Sequence, residues 1–343
     1  MGRVNYGYDD KYLLTLTVRS DGASVFGENN KYSVFPAVSA AWRITQEKFM
    51  NNITWLNDLK LRVSYGVTGN AGAISPYKSL SLSGPGSNYT FNHVYTIGIS
   101  PVGISNPNLS WESSTQADIG LDFELLNNRV GVVIDYYNKK TDKLLFDQAL
   151  PYSSGYSTIT KNFGSIENKG WEFAVNAKIL QGDFKWNVGG NLTLNRNKIL
   201  SIDGGLTKEK FANGSTVAVL KEGSPVGLFK AYIFDGIYQT GEAVLPGSGS
   251  RTGGTKVKDL NKDGQITGAD QMIVGDPNAD YFFGFTTNFS YKGFDLGIFL
   301  TGVQGNDIYN LSRYSFENPL GQRNVLQGLV NRWSPVLDRK SVV

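Results

Sequence analysis

Between Trp171 and Asn195, apolar side chains recur at every second position. Trp171, Phe173, Val175, Ala177 and Ile179 alternate with Glu172, Asn176 and Lys178, Ala174 being a small exception. After a short connection from Gln181 to Phe184 the pattern resumes. Trp186, Val188, Gly190, Leu192 and Leu194 fall on one side, and Lys185, Asn187, Gly189, Asn191, Thr193 and Asn195 on the other. A period of two predicts strands with unlike faces, and two such runs across a Gly-Asp connection predict a hairpin. Each run is about ten residues long, enough for a tilted strand to cross a bilayer core.

The same pattern recurs along the chain. Tyr12, Leu14, Leu16 and Val18 alternate with polar residues, as do Leu59, Leu61, Val63, Tyr65 and Val67. Ala117, Ile119, Leu121, Phe123 and Leu125 lead through Asn127, Asn128 and Arg129 into Val130, Val132, Ile134 and Tyr136. Phe283, Phe285, Thr287, Phe289 and Tyr291 turn at Gly293-Phe294 into Leu296, Ile298 and Leu300. A weaker strand at Ser33–Trp42 holds Pro36, which lacks a ladder donor and predicts a bulge or a rim position. Arg43–Asp58 is helix-like, with Thr45 as a candidate cap. Residues 69–112, 147–168 and 197–280 read as long polar connections, and the tail from Asn306 is ambiguous.

About ten strands result, joined alternately by short turns and long loops, the habit of an outer-membrane barrel. Periodicity alone leaves two surroundings open for the apolar face, the core of a soluble sandwich or lipid. The length of the strands favours lipid. So do aromatics near strand ends, at Tyr12, Tyr65, Tyr136, Trp171, Trp186 and Tyr291, where an interfacial girdle would sit. The expected fold is an all-β, antiparallel transmembrane β-barrel.

Composition narrows the chemistry. Charged residues make up 18% of the chain, below the roughly 25% of soluble proteins, and there are 40 Gly. A net charge of +3 with scattered basic residues does not suit nucleic acid. With no Cys, disulfides and thiol chemistry are excluded. The single His, His93, lies in a polar loop with no paired motif beside it, so no catalytic triad forms and no enzyme is expected. Asp118, Asp122 and Glu124 read as a hydrated wall before an acid pair. Tyr89, Tyr95, Trp111, Tyr152 and Tyr156 suit sugar stacking or loop packing equally well. No apolar run is long enough for a membrane helix, which says nothing against strands. Met1-Gly2-Arg3 does not open a signal peptide, so a fragment is expected.

One motif carries coordination chemistry. Asp259, Asn261, Asp263, Gln265, Thr267 and Asp270 stand at the spacing of an EF-hand loop, with Gly264 at the turn and Ile266 as an apolar anchor. The expected ligand is a structural calcium ion that rigidifies the long connection. The alternative is an Asx-rich turn without metal.

The wording of the chain resembles the SusC/RagA family of TonB-dependent outer-membrane transporters. The resemblance rests on several stretches. They are Glu222 to Phe229 leading into Asp235 to Thr240, Val63 to Asn70, Asn106 to Glu112, Asn168 to Glu172, and Leu192 to Lys198. The Asp259–Asp270 loop, followed by Gly275 to Asn278, also fits. The resemblance implies a barrel of about 22 strands, closed by an N-terminal plug. It implies energy drawn through TonB, a SusD-like surface lipoprotein as partner, and import of oligosaccharides or peptides. Residues 1–343 would then be a partial C-terminal barrel domain in the cell outer membrane. The plug, the TonB contact, the early strands and the last strands would lie outside it. Residues 197–280 would form a long extracellular loop carrying the calcium loop at 259–270. The competing expectation is a secreted or surface β-module that binds glycans and is stabilised by calcium.

Overall fold

The computed structural model describes residues 1–72, 74–202, 207–210, 216–317, 324–331 and 333. The chain divides into two compact units. The first comprises Met1–Gly205, Lys221–Ser224 and Asp280–Gly305, and the second the remainder.

The first unit is one antiparallel sheet of ten strands in sequence order. They are β1 (Gly2–Tyr8), β2 (Tyr12–Gly22), β3 (Tyr32–Arg43), β4 (Leu56–Asn70), β5 (Glu112–Leu125), β6 (Val130–Asp142), β7 (Ser165–Gln181), β8 (Phe184–Ser201), β9 (Tyr281–Tyr291) and β10 (Phe294–Gln304). Every strand pairs with its sequence neighbours in the sheet, as short turns favour. Three short turns of the sheet have successive residues of positive φ, Asp9 and Asp10 at 52° and 48°, Asn127 and Asn128 at 57° and 60°, Lys292 and Gly293 at 45° and 88°. That geometry matches the twist of the flanking strands.

Register keeps the two faces separate. Leu61, Leu121, Ile134, Phe173, Leu192 and Phe283 lie side by side across six strands. The next row on the opposite face holds Arg62, Gly120, Asp135, Glu172 and Thr193. The apolar face is open, with Leu16, Val63, Val175 and Leu296 exposed. Rings gather at its two ends. Tyr8, Tyr12 and Trp42 stack near the short turns, as do Trp186 and Phe289, whereas Tyr136 meets Trp171 toward the long connections. On the same face the Thr287 hydroxyl accepts a 2.9 Å hydrogen bond from Trp186 Nε1.

Several local expectations change. β7 is irregular between Lys178 and Leu180, and Leu180, not Ile179, lies opposite Trp186. Ile179 is the extra residue of a bulge, so it does not extend the apolar row. Pro36 makes no bulge. It pairs in register with Val18, and the β3–β4 ladder ends at Ala37, where no further donor is required. Arg43–Asp58 forms two short 3-10 turns, Ile44–Gln46 and Lys48–Met50. The Thr45 hydroxyl caps neither. It donates to Asp58 and accepts from the amide of Leu59. The connection 71–111 is not featureless, since Ser83–Pro85 pairs with Ile99–Pro101 and Tyr89–Phe91 with Val94–Thr96. β8 continues to Ser201, so the longest connection starts after that residue.

The second unit holds a four-stranded sheet of Thr207–Lys210, Thr216–Leu220, Leu228–Tyr232 and Gln271–Gly275. It also holds a hairpin of Phe234–Ile237 with Thr255–Val257. Tyr238, Ile266 and Asp270 are buried. Part of the tail forms a short helix, α1 (Leu311–Phe316), and a 3-10 turn, Gln327–Asn331.

Candidate functional site

The polar face of the sheet is a charged and amide-rich wall. Asp122 accepts from Arg62 Nε at 2.9 Å and lies 2.7 Å from Lys60 Nζ. Arg62 also reaches across Gly120 to Asp135 at 2.9 Å. A Cβ on Gly120 would stand 2.1 Å from Asp135 Oδ1, so the bridge needs glycine there. Asp118 accepts from Ser64 and Gln116. Of the three carboxylates Asp118, Asp122 and Glu124, the first two are tied to donors and make no acid pair. Nearer the short turns, glycines and asparagines hollow the wall. A depression of about 690 Å³ is lined by Glu124, Gly131, Asn176, Gly189 and Asn288 among others. Such a surface offers both donors and acceptors to water or to a polar solute.

At the long-connection end, the stretch from Asn106 to Glu112 joins three connections. Asn108 accepts at its side chain and carbonyl from Asn29 and Asn30. Asn106 Nδ2 donates to the carbonyl of Thr160. Ser110 exchanges two 2.7 Å bonds with Asn162, and Glu112 accepts from the amide of Leu145. Beneath them Phe26, Phe35, Ile74, Leu109 and Trp111 form a small apolar core. Trp111 packs 4.7 Å from Phe26 and is not free to stack on a ligand, whereas Tyr89, Tyr95 and Tyr152 are exposed and Tyr156 is half-buried. His93 is exposed, with φ of 65°. The bracket had a legible trace in the Asn-Pro-Asn run before Trp111. Its partner Asn162 had none, because it lies 52 residues away.

At the short-turn end, Glu47 accepts from Tyr12 at 2.7 Å and from Trp42 at 3.2 Å, with Lys11 3.7 Å away. The Tyr12 hydroxyl, then the Trp42 indole, hold the Glu47 carboxyl below its ordinary pKa. The Lys11 ammonium is raised, chiefly by Asp9.

The Asp259–Asp270 loop curls around its own amides. Asp259 accepts from Lys262 and Gly264, Asn261 from Asp263, and Asp263 from Gln265. Gly264 has φ of 79°, as the turn requires. Asp270 is fully buried. Its Oδ1 accepts from Leu260 at 3.0 Å and its Oδ2 from Thr267 at 2.7 Å. These amides, Thr267 first, lower its pKa. Thr267 in return caps the 3-10 turn Gly268–Asp270. Among the described residues, no group of three or more His, Cys, Asp or Glu side chains stands ready to hold a metal. The loop thus brings Asp259, Asn261 and Asp263 into one turn, while Asp270 fastens the loop's two ends.

A two-faced sheet of this kind has close counterparts. The family model described as TonB dependent receptor-like, beta-barrel, matches residues 1–222. The chain belongs to this family of TonB-dependent receptors. TonB-dependent receptor P26 of Formosa agariphila is 39% identical over 97% of this receptor chain and 34% of its own length. TonB-dependent receptor SusC of Bacteroides thetaiotaomicron is 32% identical over 90% of the chain and 31% of its own length. The receptor chain therefore spans about a third of the length of the curated relatives it matches. A solved structure of the RagAB peptide transporter superposes with a TM-score of 0.83 at 29% identity, covering 99% of the chain and 36% of that chain. The receptor is of the SusC/RagA type, and its ten strands are outer-membrane barrel wall with the apolar face toward lipid.

Proposed function

We propose that this receptor segment is part of the wall of an importer that takes up oligosaccharides or peptides, draws its energy through TonB and works with a SusD-like surface lipoprotein. The observation that carries the reading is the wall itself. It is apolar toward lipid and hydrogen-bonding toward the lumen, and its long connections gather at one end in a bracketed collar. Similarity to SusC and to RagAB supports it. The segment performs no bond chemistry, and substrate is held by loops and passed along polar wall. A secreted glycan-binding module fits less well, because it would cover the apolar face with a second layer. The test is uptake of labelled peptides and oligosaccharides by cells carrying the complete importer, with and without TonB. Uptake indifferent to TonB would refute the reading.

We infer that the Asp259–Asp270 loop takes a calcium ion. Asp259, Asn261 and Asp263 supply side-chain oxygens, with the Gln265 carbonyl and the Thr267 hydroxyl beside them. Asp270, the remaining member of the set, keeps the loop closed. A carboxylate accepts more than the two bonds that Asp259 and Asp263 each accept, so capacity for a cation remains at those two. Calorimetric titration of calcium into the importer tests this. Equal heats from wild type and an Asp259→Ala, Asp263→Ala variant would end it.

A further inference from the structure

On the lipid face of β1 to β4, close to the short turns, the apolar surface dips. Leu14, Ala40 and Val63 lie side by side across β2, β3 and β4, with alanine at the centre, and Tyr6 stands beside Leu14 on β1. One row nearer the turns, Tyr12 and Trp42 are paired and stacked, their rings 6.4 Å apart. A small side chain among large ones leaves an apolar dent of about 340 Å³, lined by Tyr6, Tyr12, Leu14, Ala40, Trp42 and Val63 among others. Since this face is turned to lipid, what covers the dent is a lipid chain.

A charged rim adjoins the dent. Glu47, from the connection between β3 and β4, is tied to the two rings that line it, its Oε1 accepting from the Tyr12 hydroxyl and from Trp42 Nε1. The carboxylate is thereby fixed at the depth of an interfacial Tyr and Trp belt, where headgroups lie. Its Oε2 is 3.7 Å from Lys11 Nζ, longer than a direct hydrogen bond, so that oxygen can take a further donor. Lys11 Nζ is also 3.3 Å from the exposed Asp9. The rim thus sets one ammonium between two carboxylates.

We propose that this site seats one phospholipid whose headgroup carries a primary ammonium, with an acyl chain in the dent, the ammonium on Glu47 and Asp9, and the phosphate on Lys11. Short turns of outer-membrane barrels face the periplasm, which places the lipid in the inner leaflet. An anionic headgroup would meet two carboxylates for one lysine. A quaternary ammonium has no N–H to give to Glu47. The proposal rests on the assignment of the apolar face to lipid and is independent of what the importer carries.

The test uses the complete receptor, delipidated in detergent. It is offered an equimolar mixture of phosphatidylethanolamine, phosphatidylcholine and phosphatidylglycerol with identical acyl chains, and native mass spectrometry counts what stays bound. Phosphatidylethanolamine should be retained roughly tenfold over the other two. Ala40→Phe, which fills the dent, should remove the retained lipid. Glu47→Gln keeps an acceptor for Tyr12 and Trp42 but loses the charge, and should erase the preference among headgroups. Val175→Phe, on the lipid face of β7 and outside the dent, should behave as wild type. No preference in the wild type, a preference for phosphatidylcholine or phosphatidylglycerol, or a preference unchanged in both Ala40→Phe and Glu47→Gln would each overturn the proposal.

Discussion

At Gly120 the absence of a side chain is what lets Arg62 reach two carboxylates on neighbouring strands. Gly120→Val should push Arg62 off Asp135 and cost about 1–2 kcal/mol, read as a lower unfolding temperature of the detergent-solubilised importer. Facing matters just as much one residue at a time. Lysine at Val175 places a charge against lipid and should cost on the order of 2–4 kcal/mol if near the midplane. Lysine at Asn176 faces the lumen and should cost little, and the reverse order would contradict the assignment of faces. Asp270 behaves differently again. Its folded pKa is lowered, so its contribution is fully present above the unfolded carboxylate range, about pH 4. It fades as pH falls through the lower folded value. Protease cleavage of the 259–270 loop should therefore rise on acidification, and Asp270→Asn should be cleaved readily even at neutral pH.

Among the elements, strands were the legible part, because a period of two shows wherever lipid and water lie on opposite faces. The row from Leu61 to Phe283 could be read directly from alternation. The bulge at Ile179 could not, since Ala177, Ile179 and Leu180 are all apolar and one extra residue leaves no trace in hydropathy. Deleting Ile179 should consequently be tolerated, returning Leu180 to a regular ladder opposite Trp186. Deleting Val175 should throw the following residues onto the wrong face and abolish the folded, heat-modifiable band on a gel. The helix-like reading of Arg43–Asp58 misled because apolar residues over so short a span also fit irregular turns; Thr45 serves Asp58 and Leu59 instead. The Asn106–Glu112 bracket depends on Asn29, Asn30, Thr160 and Asn162, all distant in sequence, so its partners were invisible. The calcium spacing showed which residues share a turn, but not that Asp270 would be occupied by the amides of Leu260 and Thr267. Trp111→Ala should remove about 3–5 kcal/mol from the collar's core, seen as early proteolysis at residues 143–164.

For the whole molecule, the absence of cysteine in these 343 residues makes the lipid and water faces directly measurable. Single cysteines at Glu172, Asn176, Asn187 and Asn191 should react with a water-soluble maleimide in membranes. Those at Phe173, Val175, Val188 and Leu192 should react only with a lipid-soluble one. A labelling pattern without a two-residue period would disprove the barrel wall. One seam in that wall has a consequence for how it is built. Most neighbouring strands are joined by modest stretches of chain, but Trp186 and Thr287, which meet across β8 and β9, are 101 residues apart. Closing a loop costs more entropy as it lengthens, although only logarithmically. Contacts between distant residues also form late. The hairpins on either side should zip first and the β8–β9 seam last, so during assembly the nascent sheet passes through a stage of two separate leaves. Within β9, exchange protection should therefore reach the amides that bond to β10 before those that bond to β8.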